Sequence, residues 1–224
     1  MTTFVLLPGA GGAAWYWHRV GPLLSAAGHA AIAVDLPGDD PTAGLERYTD
    51  LVVSAAQGRP DVTLVAQSMS GFLAPMVCAR LTVQRLVLVN AMIPTPGERA
   101  GQWWGHTGSA EAQREAALRD GYSPEFDVTT YFLHDVPPDV LARSHDKQRP
   151  EAEIAFREPC RFDAWPAVPT HLIAGRDDRF FPVAFQRRVA RERLDVPVDV
   201  VPGGHLLALV NPQGLTDQLL AYLA

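Results

Sequence analysis

Six short apolar runs, rich in β-branched residues, recur along the 224-residue chain: Thr3 to Leu7, Ala30 to Val34, Val62 to Val65, Arg85 to Val89, Thr170 to Ala174 and Val198 to Val201. Within most of them apolar and polar positions do not alternate. A strand that is apolar throughout must be covered on both faces, as in a parallel sheet with helices on each side. Between the runs, apolar residues return at three- and four-residue steps, which predicts helices over Trp15 to Ala27, Leu45 to Gln57, Met69 to Arg80, Val183 to Arg193 and Leu206 to Leu223. Gly28 closes the first helix ahead of the second strand, and Gly58 with Pro60 closes the second helix ahead of the third strand. The fold class this pattern predicts is α/β, a mostly parallel sheet of about six strands with helices on both faces.

The alternation breaks once, between about residues 91 and 168. Pro94, Pro96, Gly97, Trp103, Trp104, a helix from Ser109 to Arg119 and the Pro137-Pro138 pair intervene there. We read a single domain with a core of residues 1–90 and 169–224 and a small helical cap inserted above the carboxyl edge of the sheet. No internal repeat or low-complexity tract interrupts it.

Composition narrows the function. The formal charge is -6 and the basic residues are scattered among acids, which argues against a nucleic-acid surface and for a small, weakly charged or uncharged substrate. Lys147 is the single lysine, so chemistry that needs one has a single candidate. Two cysteines, Cys78 and Cys160, make neither a disulfide framework nor a zinc pattern, and we expect buried free thiols and no metal. The first residues lack a basic leader region, and no stretch approaches the ~20 apolar residues of a membrane span, so a cytoplasmic protein without a membrane partner is expected.

The strongest chemical signal is Leu64-Val65-Ala66-Gln67-Ser68-Met69-Ser70-Gly71-Phe72, a strand running through a sharp turn into a helix. A nucleophile on such a turn needs small residues two before and two after it, because the strained backbone brings those positions together. Ala66 and Ser70 meet that need around Ser68; around Ser70 the second place would fall to the bulky Phe72. A serine hydroxyl must pass its proton to a base held by a third group. Past the fifth strand, Gly175-Arg176-Asp177-Asp178 offers Asp178 as the orienting acid, with Asp177 in reserve. Past the sixth, Pro202-Gly203-Gly204-His205 places His205 on a loop able to reach the serine; His171 lies inside a strand, and His18, His29, His106 and His145 are read as surface or cap residues. The turn Pro8-Gly9-Ala10-Gly11-Gly12 can aim backbone amides at a developing oxyanion, and Ala10 and Met69 are assigned as the donors. Gly9 with Met92, Trp103, Trp104, Phe132, His134 and Phe156 are expected to line an apolar substrate pocket.

The same turn permits a rival reading. Gly9-Ala10-Gly11-Gly12-Ala13-Ala14 fits GxGxxA with Asp35 about 20 residues on, as in a dinucleotide-binding oxidoreductase. Trp15, Tyr16 and Trp17 would crowd the helix start that must meet a pyrophosphate, and Arg143 stands where a reductase YxxxK pair would need its tyrosine. A third possibility is a ligand-binding protein that has kept the fold without turnover.

With these residues placed, the chain resembles the α/β-hydrolase superfamily over nearly its full length, and most of all its small branch of methylesterases and hydroxynitrile lyases. The resemblance is carried by Phe4-Val5-Leu6-Leu7-Pro8-Gly9-Ala10, Trp15-Tyr16-Trp17, Leu23-Leu24-Ser25-Ala26-Ala27-Gly28-His29 and Asp35-Leu36-Pro37-Gly38. It implies a Ser-His-Asp triad, no cofactor, and a cap that selects the substrate. The chain departs from that pattern at Pro8, where the family commonly has histidine, and at Ala66 and Ser70 in place of glycines. Gly9 and Leu206 stand where the lyases are similar to one another in having threonine and lysine, which turns the expectation from cyanohydrin cleavage to ester hydrolysis.

Overall fold

The computed structural model describes residues 1–223. Its six strands, β1 (Thr3–Leu7), β2 (Ala30–Ala33), β3 (Val62–Gln67), β4 (Arg85–Val89), β5 (Thr170–Gly175) and β6 (Val198–Val201), form one sheet in the order β2-β1-β3-β4-β5-β6, and every pairing is parallel. The helices are α1 (Val20–Ala26), α2 (Leu45–Ala56), α3 (Leu73–Cys78), α4 (Ala100–Thr107), α5 (Ser109–Asp120), α6 (Pro138–Ser144), α7 (Glu153–Arg157), α8 (Val183–Arg193), α9 (Leu207–Val210) and α10 (Pro212–Ala221). The chain starts in the sheet, steps outward to β2 and crosses back to β3, so the order reverses beside β1. In an open parallel sheet such a switch leaves a crevice outside the carboxyl ends of the strands.

Side chains of the inner strands leave alternately to the two faces. Val5, Leu7, Leu64, Ala66, Leu86 and Leu88 enter one core with α2, α3 and α8, while Phe4, Leu6, Val65, Val87 and Val89 enter the other with α1 and α10. Cover on both faces holds for β1 and β3, which are buried at every position, polar Thr3, Thr63 and Gln67 included, and fails at the edges, where β2 and β6 are partly exposed. Three expected helices are also divided. A 3-10 turn at Ala14–Trp17 precedes α1, another at Ser68–Phe72 precedes α3, and α9 breaks from α10 at Asn211. In each case a proline, Pro22, Pro75 or Pro212, sits in the first turn of the following α-helix. That is where a missing N–H costs nothing; farther in, it would remove a helical hydrogen bond.

The insertion closes on itself at a narrow neck. Arg99 and Pro159 form an antiparallel bridge, and the Gly97 and Cys160 amides donate to the Cys160 and Glu98 carbonyls at 2.8 Å each. Glu98 anchors the neck: its side chain, 2% exposed, accepts from Arg193 of α8 at 2.5 Å and meets His106 of α4 at 2.7 Å. Burial pushes the Glu98 carboxyl upward, but Arg193, the Thr95 amide and His106 together outweigh it and hold the group below its ordinary value of 4.5. Replacing Glu98 with Gln should therefore destabilise the protein by about 3 kcal/mol at pH 7, since it leaves the buried Arg193 guanidinium without its counter-charge. The depressed pKa makes the ion pair's contribution complete above pH 4.5 and lost as pH falls through the folded-state value. Urea unfolding of both forms against pH should show the gap closing in acid.

Candidate active site

At the end of β3 the chain turns sharply, and Ser68 takes φ of +51°, a left-handed conformation that costs a non-glycine residue energy. The surroundings hold it there. The Ser70 hydroxyl donates to the Pro8 carbonyl, and the Met92 amide donates to the Ser68 carbonyl at 3.0 Å. A Cβ on Gly71 would overlap the Met92 carbonyl oxygen, and one on Gly9 would collide with the Gln67 side chain. Gly71 is thus as necessary to the bend as the small residues Ala66 and Ser70, a requirement that emerges only when the β4 exit is seen packed on the turn.

Three side chains far apart in the chain converge at this bend. His205 Nε2 lies 3.0 Å from Ser68 Oγ, and its Nδ1 lies 2.9 Å from Asp178 Oδ2. The Asp178 carboxylate is fully buried, and its Oδ1 accepts the Phe180 and Phe181 amides at 2.8 Å each. Asp177 instead turns outward to Arg176, at 3.0 Å, and to the Gly203 amide, at 3.1 Å. The imidazole is 1% exposed and is met edge-on by Phe132, Phe180 and Phe181, with ring centroids 4.9, 5.1 and 5.2 Å away.

Asn90, also at positive φ, ties the two loops together from the end of β4. Its Nδ2 donates to the Gly204 and His205 carbonyls at 3.2 and 3.0 Å, while its Oδ1 accepts the Gly175 amide at 2.7 Å. Gln186 of α8 reaches the same cluster, donating to the Phe181 carbonyl at 2.7 Å and to Asn90 Oδ1 at 3.2 Å. Neither residue carries a sequence motif that would announce it.

A cavity of about 440 Å³ opens over Ser68 and His205. Of the residues expected to line a pocket, Gly9, Met92, Trp104, Phe132 and Phe156 border it, and so do Ala10 and Met69, expected as oxyanion donors. Register explains why the glycine turn is present: β1 lies beside β3 with Leu7 opposite Ala66, so the residues after each strand share one rim. Met69 is the second residue of a 3-10 turn, whose first amides have no partner within the helix, and the Ala10 amide makes no hydrogen bond to the described residues.

Two expected lining residues are elsewhere. Trp103 is fully buried and packs on Phe181 and Phe185, its indole donating to the Ile93 carbonyl at 3.0 Å. Of two adjacent tryptophans on one helix only one can face the cavity, and that one is Trp104. His134 lines a separate polar depression behind Asp178, beside Asp135 and Asp177. Tyr16, in contrast, was not foreseen as a lining residue. Burial pushes its phenol well above the ordinary range, so it stays neutral; it accepts the Ala208 amide at 3.2 Å and keeps a proton that no described residue accepts.

The dinucleotide reading fails on the same ground. Asp35 is gripped by Arg149 at 3.0 and 2.9 Å and accepts the Ala14 amide at 2.9 Å, so it is not free for a ribose. The Gly12 position is pressed against the Leu36 carbonyl, and Gly38 against Gly11. These glycines allow loops to pack on one another. Both cysteines are free thiols; burial pushes Cys78 up to about 12 and Cys160 in the same direction, which keeps both protonated and unreactive. Among the described residues no cluster of three or more His, Cys, Asp or Glu could hold a metal ion, and no helix is long and apolar enough to cross a membrane.

Comparison with known proteins places the fold. The model of the alpha/beta hydrolase family matches residues 4–218. A probable esterase of Oryza sativa subsp. indica is 33% identical over 111 residues, a stretch that is 44% of this chain and 42% of the rice protein. The chain thus spans less than half the length of that relative. Among solved structures, polyneuridine aldehyde esterase superposes with a TM-score of 0.79 at 20% identity over 100% of both chains. A methylesterase from Arabidopsis gives 0.77 at 20% identity, over 100% of this chain and 99% of the other. A pyrethroid hydrolase from Sphingobium faniae JZ-2 gives 0.74 at 21%, over 99% and 96%. These likenesses are of fold.

The Asn90 tie makes a specific prediction. An Asn90→Ala variant loses four hydrogen bonds in a buried place and should be about 2–3 kcal/mol less stable in urea, with faster amide exchange across residues 203–206. Asn90→Gly, which loses the same hydrogen bonds but also relieves the strain of the positive φ, should recover no more than about 1 kcal/mol of it.

Proposed function

The chain belongs to the alpha/beta hydrolase family, and from that premise we propose that it is a serine hydrolase cleaving small hydrophobic carboxylic esters, or related lactones and thioesters, through an acyl-enzyme. One observation carries the reading: an unbroken chain of hydrogen bonds from Ser68 Oγ through His205 to a fully buried Asp178, at 3.0 and 2.9 Å, on the floor of a largely apolar cavity.

In this mechanism Ser68 Oγ attacks the ester carbonyl as His205 Nε2 takes its proton. Asp178 holds the Nδ1 proton, which leaves Nε2 free to act as the base, and it stabilises the imidazolium that forms. The tetrahedral oxyanion rests on the Ala10 and Met69 amides, each contributing about 3 kcal/mol to the lowering of the barrier. His205 then returns its proton to the departing alcohol. Water, deprotonated by His205 in turn, releases the acid and restores Ser68. The left-handed backbone at Ser68 lifts the hydroxyl clear of the sheet and presents it to the substrate.

The lining supports this substrate class. Trp15, Met92, Trp104, Phe132 and Phe156 offer apolar contact, and the cavity falls within the usual ~300–1,000 Å³ of small-molecule sites. Likeness to esterases among the relatives supports the same class.

A fluorophosphonate probe should attach to Ser68 alone, as peptide mapping would establish. Ser68→Ala should lose at least about 10⁴-fold in kcat on a p-nitrophenyl ester, and Asp178→Asn a similar factor, with the fold intact. Wild-type turnover in Ser68→Ala would refute the assignment. Across p-nitrophenyl acetate, propionate and butyrate, kcat/KM should rise about fourfold per methylene, the equivalent of ~0.8 kcal/mol for each buried CH₂. A flat series would exclude an apolar acyl site.

A further inference from the structure

Cap residues 149–152 lie directly on the turn that carries Ala10. Glu151 Oε2 accepts the Gly11 amide at 2.6 Å, and its Oε1 accepts the Tyr48 hydroxyl at 2.7 Å. Arg149 Nε donates to the Gly11 carbonyl at 3.1 Å while its two terminal nitrogens hold Asp35. The Ala152 amide donates to the Gly38 carbonyl at 2.7 Å. Gly11 has φ of +83°, and a Cβ there would collide with the Arg149 carbonyl oxygen. Glycine is required at this position because the cap backbone occupies the space a side chain would need.

Peptide geometry turns these contacts into a statement about Ala10. The Gly9 carbonyl and the Ala10 N–H share one rigid peptide plane. That plane is held on one side by the Gly12 amide, which donates to the Gly9 carbonyl at 3.1 Å. On the other side, the planes before and after the Gly11 Cα are both gripped by the cap, through the Gly11 N–H and C=O. With the cap segment lifted, the Gly11 groups lose their partners and the Ala10 peptide plane keeps the Gly12 amide as its one remaining described tie, which holds its direction less tightly.

We propose that Glu151 and Arg149 are positioning residues, a strap by which the seated cap sets the direction of the Ala10 amide and so completes the oxyanion hole. The proposal rests on the reading of Ala10 as an oxyanion donor. Its two parts, the strap and the catalysis it serves, are measured separately.

Burial raises the Glu151 carboxyl above its ordinary range, so a neutral side chain suits the site. Glu151→Gln can still accept the Gly11 amide and donate to Tyr48, whereas Glu151→Ala can do neither. In the full-length protein, Glu151→Ala should lower kcat for p-nitrophenyl butyrate by roughly 10- to 100-fold with KM changed less than about threefold, and Glu151→Gln should restore kcat to within about threefold of wild type. Amide exchange over residues 9–12 should accelerate at least about tenfold in Glu151→Ala and stay at the wild-type rate in Glu151→Gln, while β3 and β4 are unaffected. Arg149→Gln, on the solvent side of the strap, removes the Gly11 carbonyl contact and serves if Glu151→Ala does not fold; it should show the same loss of kcat and faster exchange. Wild-type exchange at residues 9–12 in the variant that folds, or a kcat within twofold of wild type in it, overturns the strap. If the wild-type protein turned over no ester, the hydrolase reading would fail by itself, and the exchange rates would still decide whether the strap holds the turn.

Discussion

Asp178 carries a carboxylate with no exposure to water, and such a group is tolerable only when its oxygens are fully engaged. Oδ1 takes the two amides of the Phe180-Phe181 turn, and Oδ2 takes the His205 imidazole, with Gln186 Nε2 3.4 Å from Oδ2. Each of these partners comes from a different part of the chain, so satisfying one buried charge orders the β5 loop, the β6 loop and α8 together. Asn90 closes the arrangement by binding the carbonyls of Gly204 and His205 and the amide of Gly175. The imidazole can then stand over Ser68 with almost no freedom, walled by three phenylalanine rings. Preorganisation of this kind is what a proton relay needs, because a relay that must reorganise loses its advantage over water.

The cap obeys a second, similar constraint. It leaves the core at a neck where Glu98 is buried between Arg193 and His106, and it returns to the core at the turn after β1 through Arg149 and Glu151. Both attachments are charged groups meeting backbone or opposite charge, and the surface between them is apolar. A segment fixed at two polar points over an apolar cavity bounds that cavity without filling it. Trp103 and Trp104 divide the work: one ring seals the cap to the core, and its neighbour faces the ligand space.

Much of this was legible before any coordinates. Strand and helix positions follow from local periodicity, and the parallel arrangement follows from runs of apolar residues that need cover on both sides. Ser68, Asp178 and His205 could be named because each stands just past the end of a strand, and in a parallel sheet those ends share one edge. Ala66 and Ser70 around Ser68 are likewise a local steric requirement. Where the reading erred, the local signal was ambiguous: periodicity ran past Pro22, Pro75 and Pro212, and two adjacent tryptophans could not be told apart.

The sequence alone therefore determined the elements, their order and the chemical types at the strand ends, since these depend on residues within one or two turns of each other. Only the tertiary structure decided that Asn90 and Gln186 hold the two loops, that His134 faces away from the cavity while Tyr16 faces it, and that Gly11 is a glycine because Arg149 lies on it. Those facts depend on contacts between residues up to 192 positions apart, as between Tyr16 and Ala208. No local pattern encodes such a contact, because what selects it is the space left when the sheet, its helices and the cap have all been packed together.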